Sequence, residues 1–248
     1  MIVLKTPGEI ELLRVVNRAV AEVLKELEPR IVPGITTLEL DETAEELLYK
    51  RNCTPAFKGY KGYPKSICAS VNDEVVHGIP SKKRLKQGDV ISIDLGAKCN
   101  GFYGDMAITY AVGKIPEQAE RLIEVSRKAL ENGISEAKNN NRLGDISSAI
   151  QRTVEKEGFS IVKFFVGHGI GRELHEMPQI PNFGVPGKGV RLKSGMVFAI
   201  EPMVNAGGSD VEILEDGWTA VTKDGSLSAH FEHTIVIKDD GPEILTTV

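Results

Sequence analysis

The sequence predicts an α+β fold built from two similar halves, each with two helices followed by strands. The first observation is an internal repeat, because residues 85–94 align without a gap on residues 192–201 at an offset of 107 positions. The second is that the predicted helices of each half recur at almost the same offset. Two successive units of this kind favour a pseudo-twofold arrangement around one shared core.

Each copy of the repeat ends in a carboxylate. The first copy, LKQGDVISID, ends at Asp94, and the second, LKSGMVFAIE, ends at Glu201. Because side chains alternate along a strand, Ser92 shares a face with Asp94, and Ala199 shares a face with Glu201. A small residue beside each acid leaves room for a hydrophilic group between two equivalent strands. We interpret that group as a metal ion.

A second acid follows each copy. Turn-forming residues after Asp94 predict a hairpin that returns Asp105 toward it. A longer connection through 218–222 leads from Glu201 to Glu232. Four carboxylates placed together without a cation would oppose one another's ionisation through burial and repulsion. The four acids therefore predict a cation site on the axis between the halves.

Two predicted helices open each half. The leading helix of each half has proline in its predicted first turn, where the missing N–H is not needed. The predicted helices are residues 6 to about 27, 38–50, 115 to about 137, and 145–157. We expect residues 1–248 to form a single domain with an internal pseudo-repeat of about 6–112 and about 115–240.

Composition indicates an ordinary globular chain. With 248 residues, 41% of them hydrophobic, the chain can bury a full core. A net charge of −5 argues against DNA as a partner. The sequence has neither a membrane-length apolar segment nor the basic and apolar regions of a secretion signal. Cys53, Cys68 and Cys99 form no C-x-x-C pair, so neither a disulfide framework nor a zinc ribbon is indicated. We expect a cytoplasmic protein.

Histidine is scarce, and His168 has the most informative setting. It lies in FVGHGIG, where glycines on both sides permit close backbone approach. Beside four acids it is predicted to be a fifth ligand. The G-x-G-x-G pattern lacks the sixth-position glycine of a dinucleotide-binding loop. His175 and Glu176 resemble the start of H-E-x-x-H, but Gln179 replaces the second histidine, which excludes a zincin.

The predicted ligands favour a hydrolytic metal site. Four carboxylates and an imidazole suit manganese, ferrous iron, cobalt, magnesium or zinc. Five ligands exceed the three of a typical mononuclear catalytic zinc site. Acids that can bridge favour two ions roughly 3.5 to 4 Å apart, which activate a shared water. Hydrolysis is therefore the first hypothesis.

Several separated motifs resemble one known family. They are GYKGYPKSIC at 59–68, VNDEVVHGIP at 71–80, GHGIG at 167–171, and Glu201-Pro202. Over essentially its whole length the chain resembles the methionine aminopeptidases, in the bacterial single-domain type I form. The resemblance implies the pita-bread fold of the creatinase and prolidase superfamily. In that fold two pseudo-twofold-related halves share a curved, mostly antiparallel sheet covered by helices.

The resemblance also implies a metal centre and an activity. It assigns two divalent ions, drawn from Co, Mn, Fe, Zn or Ni, to five ligands, of which Asp105 and Glu232 bridge both ions. The implied ligands are Asp94, Asp105, His168, Glu201 and Glu232. The implied activity removes the initiator methionine from nascent proteins when the second residue is small, through a hydroxide that bridges the ions. These five residues are the ones that the repeat and the glycine-flanked histidine indicate.

The resemblance implies a role for each remaining site residue. Glu201 would act as general base, His175 would stabilise the oxyanion, and His77 would contact the leaving nitrogen. Aromatic walls suit a thioether, although a core role is the alternative for the aromatic residues. The implied substrate pocket is lined by Tyr60, Tyr63, Cys68, His77, His175 and Trp218.

Four further positions bear on the implied site. Phe57 stands where bacterial relatives frequently have cysteine, and Leu174 stands where they frequently have phenylalanine, so both affect the shape of the pocket. Asn72 and Ser228 resemble residues near a monovalent cation in some relatives, with loop hydrogen bonding as the alternative. A monomer is expected. The basic cluster 82–86 raises the question of ribosome contact, with a solvated loop as the alternative.

Four other functions compete with this one. Proline-specific aminopeptidases and dipeptidases share the ligands but usually carry an additional N-terminal domain. Type II methionine enzymes have an insertion for which the span from His168 to Glu201 leaves little room. A non-catalytic binding protein of the same fold would have lost ligands, whereas all five are present. A nucleophilic hydrolase would use Cys68 near His77, but no acid is placed to orient that histidine.

Overall fold

The computed structural model describes residues 2–248 and has the predicted α+β class, with four α-helices and fifteen strands. The helices are α1 (Pro7–Leu27), α2 (Thr37–Lys50), α3 (Glu117–Ser135) and α4 (Leu143–Lys156). The first-half strands are β1 (Thr54–Pro55), β2 (Cys68–Val71), β3 (Glu74–Val76), β4 (Val90–Cys99) and β5 (Phe102–Ala111). The others are β6 (Ser160–Ile161), β7 (Gly167–Gly169), β8 (Glu176–Ile180), β9 (Val197–Ile200), β10 (Met203–Asn205), β11 (Val211–Ile213), β12 (Ala220–Thr222), β13 (Ser228–His230), β14 (His233–Lys238) and β15 (Gly241–Ile244).

Side-chain caps explain where the first two helices begin. Thr6 caps α1 and Thr36 caps α2, each in a reciprocal capping box with a glutamate three residues later. Pro7 occupies the first turn of α1, as predicted. The prediction for the second half was wrong in this detail. Pro116 is extended, with ψ of 150°, and is the N-cap residue of α3. The helix therefore begins at Glu117, the residue after this proline.

The β4–β5 hairpin carries the first two acids. All ten residues of each strand pair in register, and the two-residue turn of Asn100 and Gly101 has φ values of 51° and 82°. Such a turn matches the twist of the flanking strands. Asp94 pairs with Ala107 and Asp105 pairs with Gly96, so the acids are diagonal neighbours on one face. Asp94 lies in mid-strand, since β4 continues to Cys99 through the residues that were predicted to form the turn.

The second pair of acids flanks two strands of a five-stranded sheet, whose order is β15-β14-β9-β7-β8. Glu201 directly follows β9, and Glu232 directly precedes β14. Because Ile200 pairs with His233, these two strand ends lie side by side. His168 on β7 pairs with Ala199 on the other edge of β9. The fold thus brings three of the five predicted ligands to one end of this sheet.

The connection between Glu201 and Glu232 builds two small sheets. Strands β13, β10 and β6 form one, and β11, β12 and β3 form the other. Every strand pair in the described chain is antiparallel. Residues 218–222 therefore lead into β12, where Ala220 pairs with Val76, and not directly back toward β9.

The two halves meet where β5 lies beside β14, and we call this contact the seam. The Glu232 N–H donates to the Ala107 carbonyl at 2.9 Å, and the Thr234 hydroxyl donates to the Asp105 carbonyl at 2.8 Å. One apolar core lies between α1, α2 and the β4–β5 hairpin, and a second lies between α3, α4, β9 and β14. None of the helices within residues 2–248 is both long and apolar enough to cross a bilayer.

Candidate active site

A cavity of about 170 Å³ opens over the seam. All eleven residues that the sequence predicts as ligands, proton-transfer groups or pocket walls line it, together with Phe57, Lys61 and Leu174. Carboxylates form one part of its surface and aromatic rings another. The predicted residues are Tyr60, Tyr63, Cys68, His77, Asp94, Asp105, His168, His175, Glu201, Trp218 and Glu232.

The deepest part of the cavity can hold a metal ion. Side-chain ligand atoms of Asp105, His168 and Glu232 all lie within 4.8 Å of one another, and all three residues are buried. Glu201 joins them, since its Oε1 lies 3.5 Å from His168 Nε2. Asp94 completes the group as the diagonal neighbour of Asp105. The structure therefore brings the five predicted ligands together from both halves.

Close backbone packing fixes His168. A Cβ on Gly167 would lie 2.5 Å from the Ala199 carbonyl oxygen, and one on Gly169 would collide with the Met177 carbonyl. Only glycine fits at these two positions, because the neighbouring backbone carbonyls leave no room for a Cβ. The His168 Nδ1 lies 2.9 Å from the Gly169 carbonyl, which can only accept, so Nδ1 carries the proton. The Nε2 lone pair therefore faces the acids, as a metal ligand requires.

The acids show the electrostatics expected of an ion site. Burial raises the pKa of Asp94 to about 7. Burial, reinforced by neighbouring carboxylates, holds the pKa of Asp105, Glu201 and Glu232 well above their usual range. One buried oxygen each of Asp94, Asp105 and Glu232 has no hydrogen-bond partner among the described residues. Unpartnered buried oxygens of this kind fit a divalent cation, which supplies the missing charge.

Two further histidines lie at the cavity wall. The His175 Nδ1 is 2.9 Å from the Tyr60 hydroxyl, and the two rings stack with centroids 5.3 Å apart. His77 has φ of 61°, an uncommon backbone conformation, and its ring packs edge-on against Phe165. Burial lowers the pKa of both His77 and His175 to about 4. Both imidazoles are therefore neutral at pH 7.

Rings and a thiol form the remaining wall. The Tyr63 ring meets Trp218 edge-on at 5.1 Å, and the Tyr63 hydroxyl lies 3.0 Å from the Gly78 carbonyl. Phe57 lies against Gly96, where an added Cβ would meet its ring at 2.5 Å. Burial, followed by the charge of Asp94, raises the pKa of the Cys68 thiol well above its usual value. A thiol that stays protonated is a poor nucleophile, which argues against the nucleophilic hydrolase.

Asn72 and Ser228 lie outside this cavity and contact each other. The Ser228 N–H donates to the Asn72 carbonyl at 2.8 Å, and the Asn72 side chain donates to Asp89 and accepts from the Val90 N–H. The Ser228 hydroxyl lies 2.9 Å from Asn205 Oδ1. These are the loop hydrogen bonds of the alternative interpretation, and the monovalent cation stays a prediction.

Sequence reasoning missed one buried histidine at the site. His230 is 2% exposed, its Nε2 has no partner among the described residues, and that atom lies 3.8 Å from Glu201 Oε2. Burial lowers the pKa of His230 to about 3. No motif marks this position. The available signal is its place two residues before Glu232, where a strand alternation puts it on the same side as that acid.

Known proteins match this chain over its full length. Residues 11–239 match metallopeptidase family M24. Methionine aminopeptidase 1 of Bacillus subtilis (strain 168) is 55% identical over 248 residues, which covers 100% of both chains. The crystal structure of a methionine aminopeptidase from Thermotoga maritima has a TM-score of 0.99 and 53% identity, again over 100% of both chains.

A more distant neighbour shows how far the fold extends. A prolidase from Pyrococcus furiosus has a TM-score of 0.81 at 24% identity and covers 99% of this chain and 65% of its own. That likeness concerns the fold alone. Together these neighbours confirm the pita-bread fold that the motifs implied. The chain belongs to metallopeptidase family M24 and, within it, to the methionine aminopeptidases.

Proposed function

We propose that this chain removes the N-terminal methionine from peptides and nascent proteins whose second residue is small, using divalent metal ions. One observation carries the proposal. Four acids and His168 converge from both halves at the bottom of a cavity with aromatic walls. Relatives that are 55% and 53% identical over the full length are methionine aminopeptidases. Residues 1–248 would then be one catalytic domain, with halves of about 6–112 and about 115–240.

Five side chains would hold two ions. Asp94, Asp105 and Glu232 each have a buried oxygen without a partner among the described residues, which supports their role as ligands. The family resemblance further implies that Asp105 and Glu232 would bridge both ions. Carboxylates and one imidazole accept Co, Mn, Fe, Zn or Ni, so the ion that occupies the site in cells depends on availability. Ions bound here would activate a water for attack on the peptide carbonyl. The proposed ligands are Asp94, Asp105, His168, Glu201 and Glu232.

Glu201 would act as the general base. Its carboxylate faces the cavity, with the side chain 13% exposed, and burial strengthens its affinity for a proton by raising its pKa. A base must lie within hydrogen-bonding reach of the proton that it takes. The position of Glu201 beside His168 meets this requirement for a water held by the same ligand group.

His175 and His77 would handle the substrate amide. If the Tyr60 hydroxyl donates to His175 Nδ1, the imidazole keeps its proton on Nε2 and can donate it to the developing oxyanion. His77 would contact the nitrogen that leaves as the new amino terminus. Because both imidazoles are neutral at pH 7, each can donate one hydrogen bond without placing a cation beside the metal ions.

Replacing His175 by alanine should lower kcat about 100-fold and leave KM within about threefold, because an oxyanion donor acts mainly in the transition state. Steady-state kinetics on Met-Gly-Met-Met would measure both constants. Tyr60→Phe is the matched comparison, since it keeps the stacked ring and removes only the hydroxyl. An effect of His175→Ala on KM alone would contradict the assigned role.

The cavity explains why one residue is removed. Tyr63 and Trp218 offer ring edges and faces to a thioether, which makes favourable contacts with aromatic rings. The acids line the same cavity as the aromatic rings, so ions that they hold would leave room for one substrate residue. The free amino group of the substrate would reach the acids and bind there. We expect Phe57 and Leu174, which also line the cavity, to tune its shape.

The decisive experiment compares Met-Gly-Met-Met with Pro-Gly-Met-Met. Metal-stripped protein and protein supplied with Mn²⁺ or Co²⁺ are incubated with each peptide, and the released amino acid is measured. Metal-dependent release of methionine from the first peptide alone is expected. Release of proline would move the assignment to the proline-specific enzymes. Inactivity on both peptides, with metal bound, would favour a binding protein.

The residue after methionine provides a second test. We expect cleavage before Gly, Ala or Ser and at least tenfold lower kcat/KM before Lys or Phe, measured on Met-Xaa-Met-Met peptides that differ only at Xaa. The basis is the family resemblance. Equal cleavage before Phe and Ala would contradict this specificity.

The proposed substrate also suggests where the protein works. We propose that the protein acts on nascent chains in the cytoplasm, and we expect a monomer. Contact with the ribosome through residues 82–86 stays a prediction. In the structure Lys83 pairs with Glu74, and the side chain of Lys83 is 45% exposed, so part of that cluster is already engaged within the chain.

A further inference from the structure

His230 lies beside the proposed general base without being one of the five proposed ligands. Its Nε2 is buried, lacks a partner among the described residues, and lies 3.8 Å from Glu201 Oε2. The other oxygen of that carboxylate, Oε1, lies 3.5 Å from His168 Nε2. The two oxygens of Glu201 therefore face two different imidazoles, one that belongs to the ligand group and one that does not.

A chain of hydrogen bonds fixes the backbone of His230. The Thr109 hydroxyl accepts from the His230 N–H and donates to the His230 carbonyl, both at 2.8 Å. Ser92 Oγ lies 2.8 Å from the same Thr109 hydroxyl. Because Thr109 has one hydroxyl proton and gives it to His230, Ser92 must be the donor. These hydrogen bonds link β4 through β5 to β13. They fix the backbone of His230, so only its side chain is free to adjust.

The orphaned Nε2 requires a partner. Buried polar atoms without one are rare and costly, and they indicate either an unseen ligand or a functional role. Glu201 Oε2, at 3.8 Å, is the one carboxylate oxygen within 4 Å of it among the described residues. The distance of 3.8 Å exceeds a hydrogen bond, but hydrogen bonds at active sites are often long in the free protein and shorten in the complex. A small rotation of the Glu201 side chain would close it.

We propose that His230 is a positioning residue, which donates its Nε2–H to Glu201 Oε2 and holds the carboxylate with Oε1 toward the reacting water. A carboxylate that is held at one oxygen cannot rotate away from the proton that it must take. Loss of a hydrogen bond to a metal-ligating group typically lowers metal affinity or activity 10- to 100-fold. The inference deepens the proposed function and rests on Glu201 as its base.

Two substitutions of His230 distinguish the loss of its hydrogen-bond donor from the loss of its packing. His230→Gln keeps an N–H donor, whereas His230→Leu fills similar space without one. We expect His230→Leu to lower kcat about 30-fold with KM within threefold, and His230→Gln to stay within about fivefold of wild type. His233→Leu is the control, because His233 is a partly buried histidine nearby that bonds Thr246 through Nδ1 instead of facing Glu201. Equal kcat for His230→Leu and wild type would overturn the proposal.

A measurement without substrate tests the same contact. The Zn²⁺-loaded protein is diamagnetic, and with five histidines each imidazole can be assigned in ¹⁵N NMR spectra by single substitutions. The Nε2–H tautomer of His230 is expected, and the Nδ1–H tautomer would overturn the proposal. If His230→Leu fails to fold, Thr109→Val, which removes the backbone anchor, should also lower kcat without raising KM. Wild-type inactivity on Met-Gly-Met-Met would refute the proposed function and leave the tautomer result standing.

Discussion

Replacing Asp105 by asparagine is expected to lower kcat/KM for Met-Gly-Met-Met at least 1000-fold, about 4 kcal/mol of transition-state stabilisation. Asp105 is 3% exposed, lies with its ligand atom within 4.8 Å of those of His168 and Glu232, and has a buried oxygen with no partner among the described residues. Asparagine offers one neutral oxygen in its place and cannot bridge two cations. Mn²⁺ affinity, measured by calorimetry, should fall together with activity.

The fold should survive this substitution. The backbone N–H of Asp105 donates to Asn17 Oδ1 at 3.3 Å, and its carbonyl accepts from Thr234, so both contacts persist with asparagine. Asp239→Asn is the control, because it removes the same charge from an exposed position. Turnover of Asp105→Asn near the wild-type rate would remove Asp105 from the proposed site.

The metal-free protein is expected to lose stability as the pH rises above about 7.5. Burial raises the folded-state pKa of Asp94 to about 7, and that of the other three acids well above the usual range. A raised carboxyl pKa means that the folded state holds a proton which the unfolded chain has already released. The free energy of unfolding then falls with pH, by about 1.4 kcal/mol per pH unit for each such proton.

The five histidines determine where this slope can be seen. Desolvation lowers the pKa of all five to about 3 or 4, so between that pH and about 7.5 the unfolded chain binds protons that the folded chain does not. That difference makes stability rise with pH and offsets the acids. Above about 7.5 the histidines are largely neutral in both states, and the acids set the slope.

Urea unfolding between pH 7.5 and 8.5 would measure the effect. The metal-free protein should become less stable across this range, and excess Mn²⁺ should abolish or reverse the loss, because the ions bind deprotonated ligands. Asp105→Asn should make the metal-free slope shallower by removing one of the protons involved. A free energy of unfolding that rises with pH in the metal-free protein would contradict the buried cluster of acids.

Local signals predicted much of the fold. Thr6 with Glu9 and Thr36 with Glu39 mark helix starts that depend on neighbouring residues only. The hairpin that carries Asp94 and Asp105 is likewise set by alternation and a two-residue turn. A repeat that preserves the apolar pattern preserves the register, and this is why its acids could be placed together from sequence.

Long-range contacts account for what the sequence did not reveal. The position of His230 depends on Thr109, which lies 121 residues earlier in the chain. No local sequence pattern around either residue predicts this contact. The two small sheets between Glu201 and Glu232 pair strands with partners such as Val76, far outside their own half. The start of α3 was misplaced because Pro116 satisfies the rules for either a first-turn or a preceding position.

The seam also bears on the stage of synthesis and folding at which the chain could bind an ion. The Thr234 to Asp105 hydrogen bond joins residues 129 positions apart, and translation delivers Glu201 and Glu232 long after Asp94 and Asp105. A partly synthesised chain therefore presents two acids alone, which bind divalent ions weakly. If the five ligands hold ions as proposed, we expect ion uptake to follow synthesis of both halves and their closure, so that a bound metal would mark a completely folded molecule.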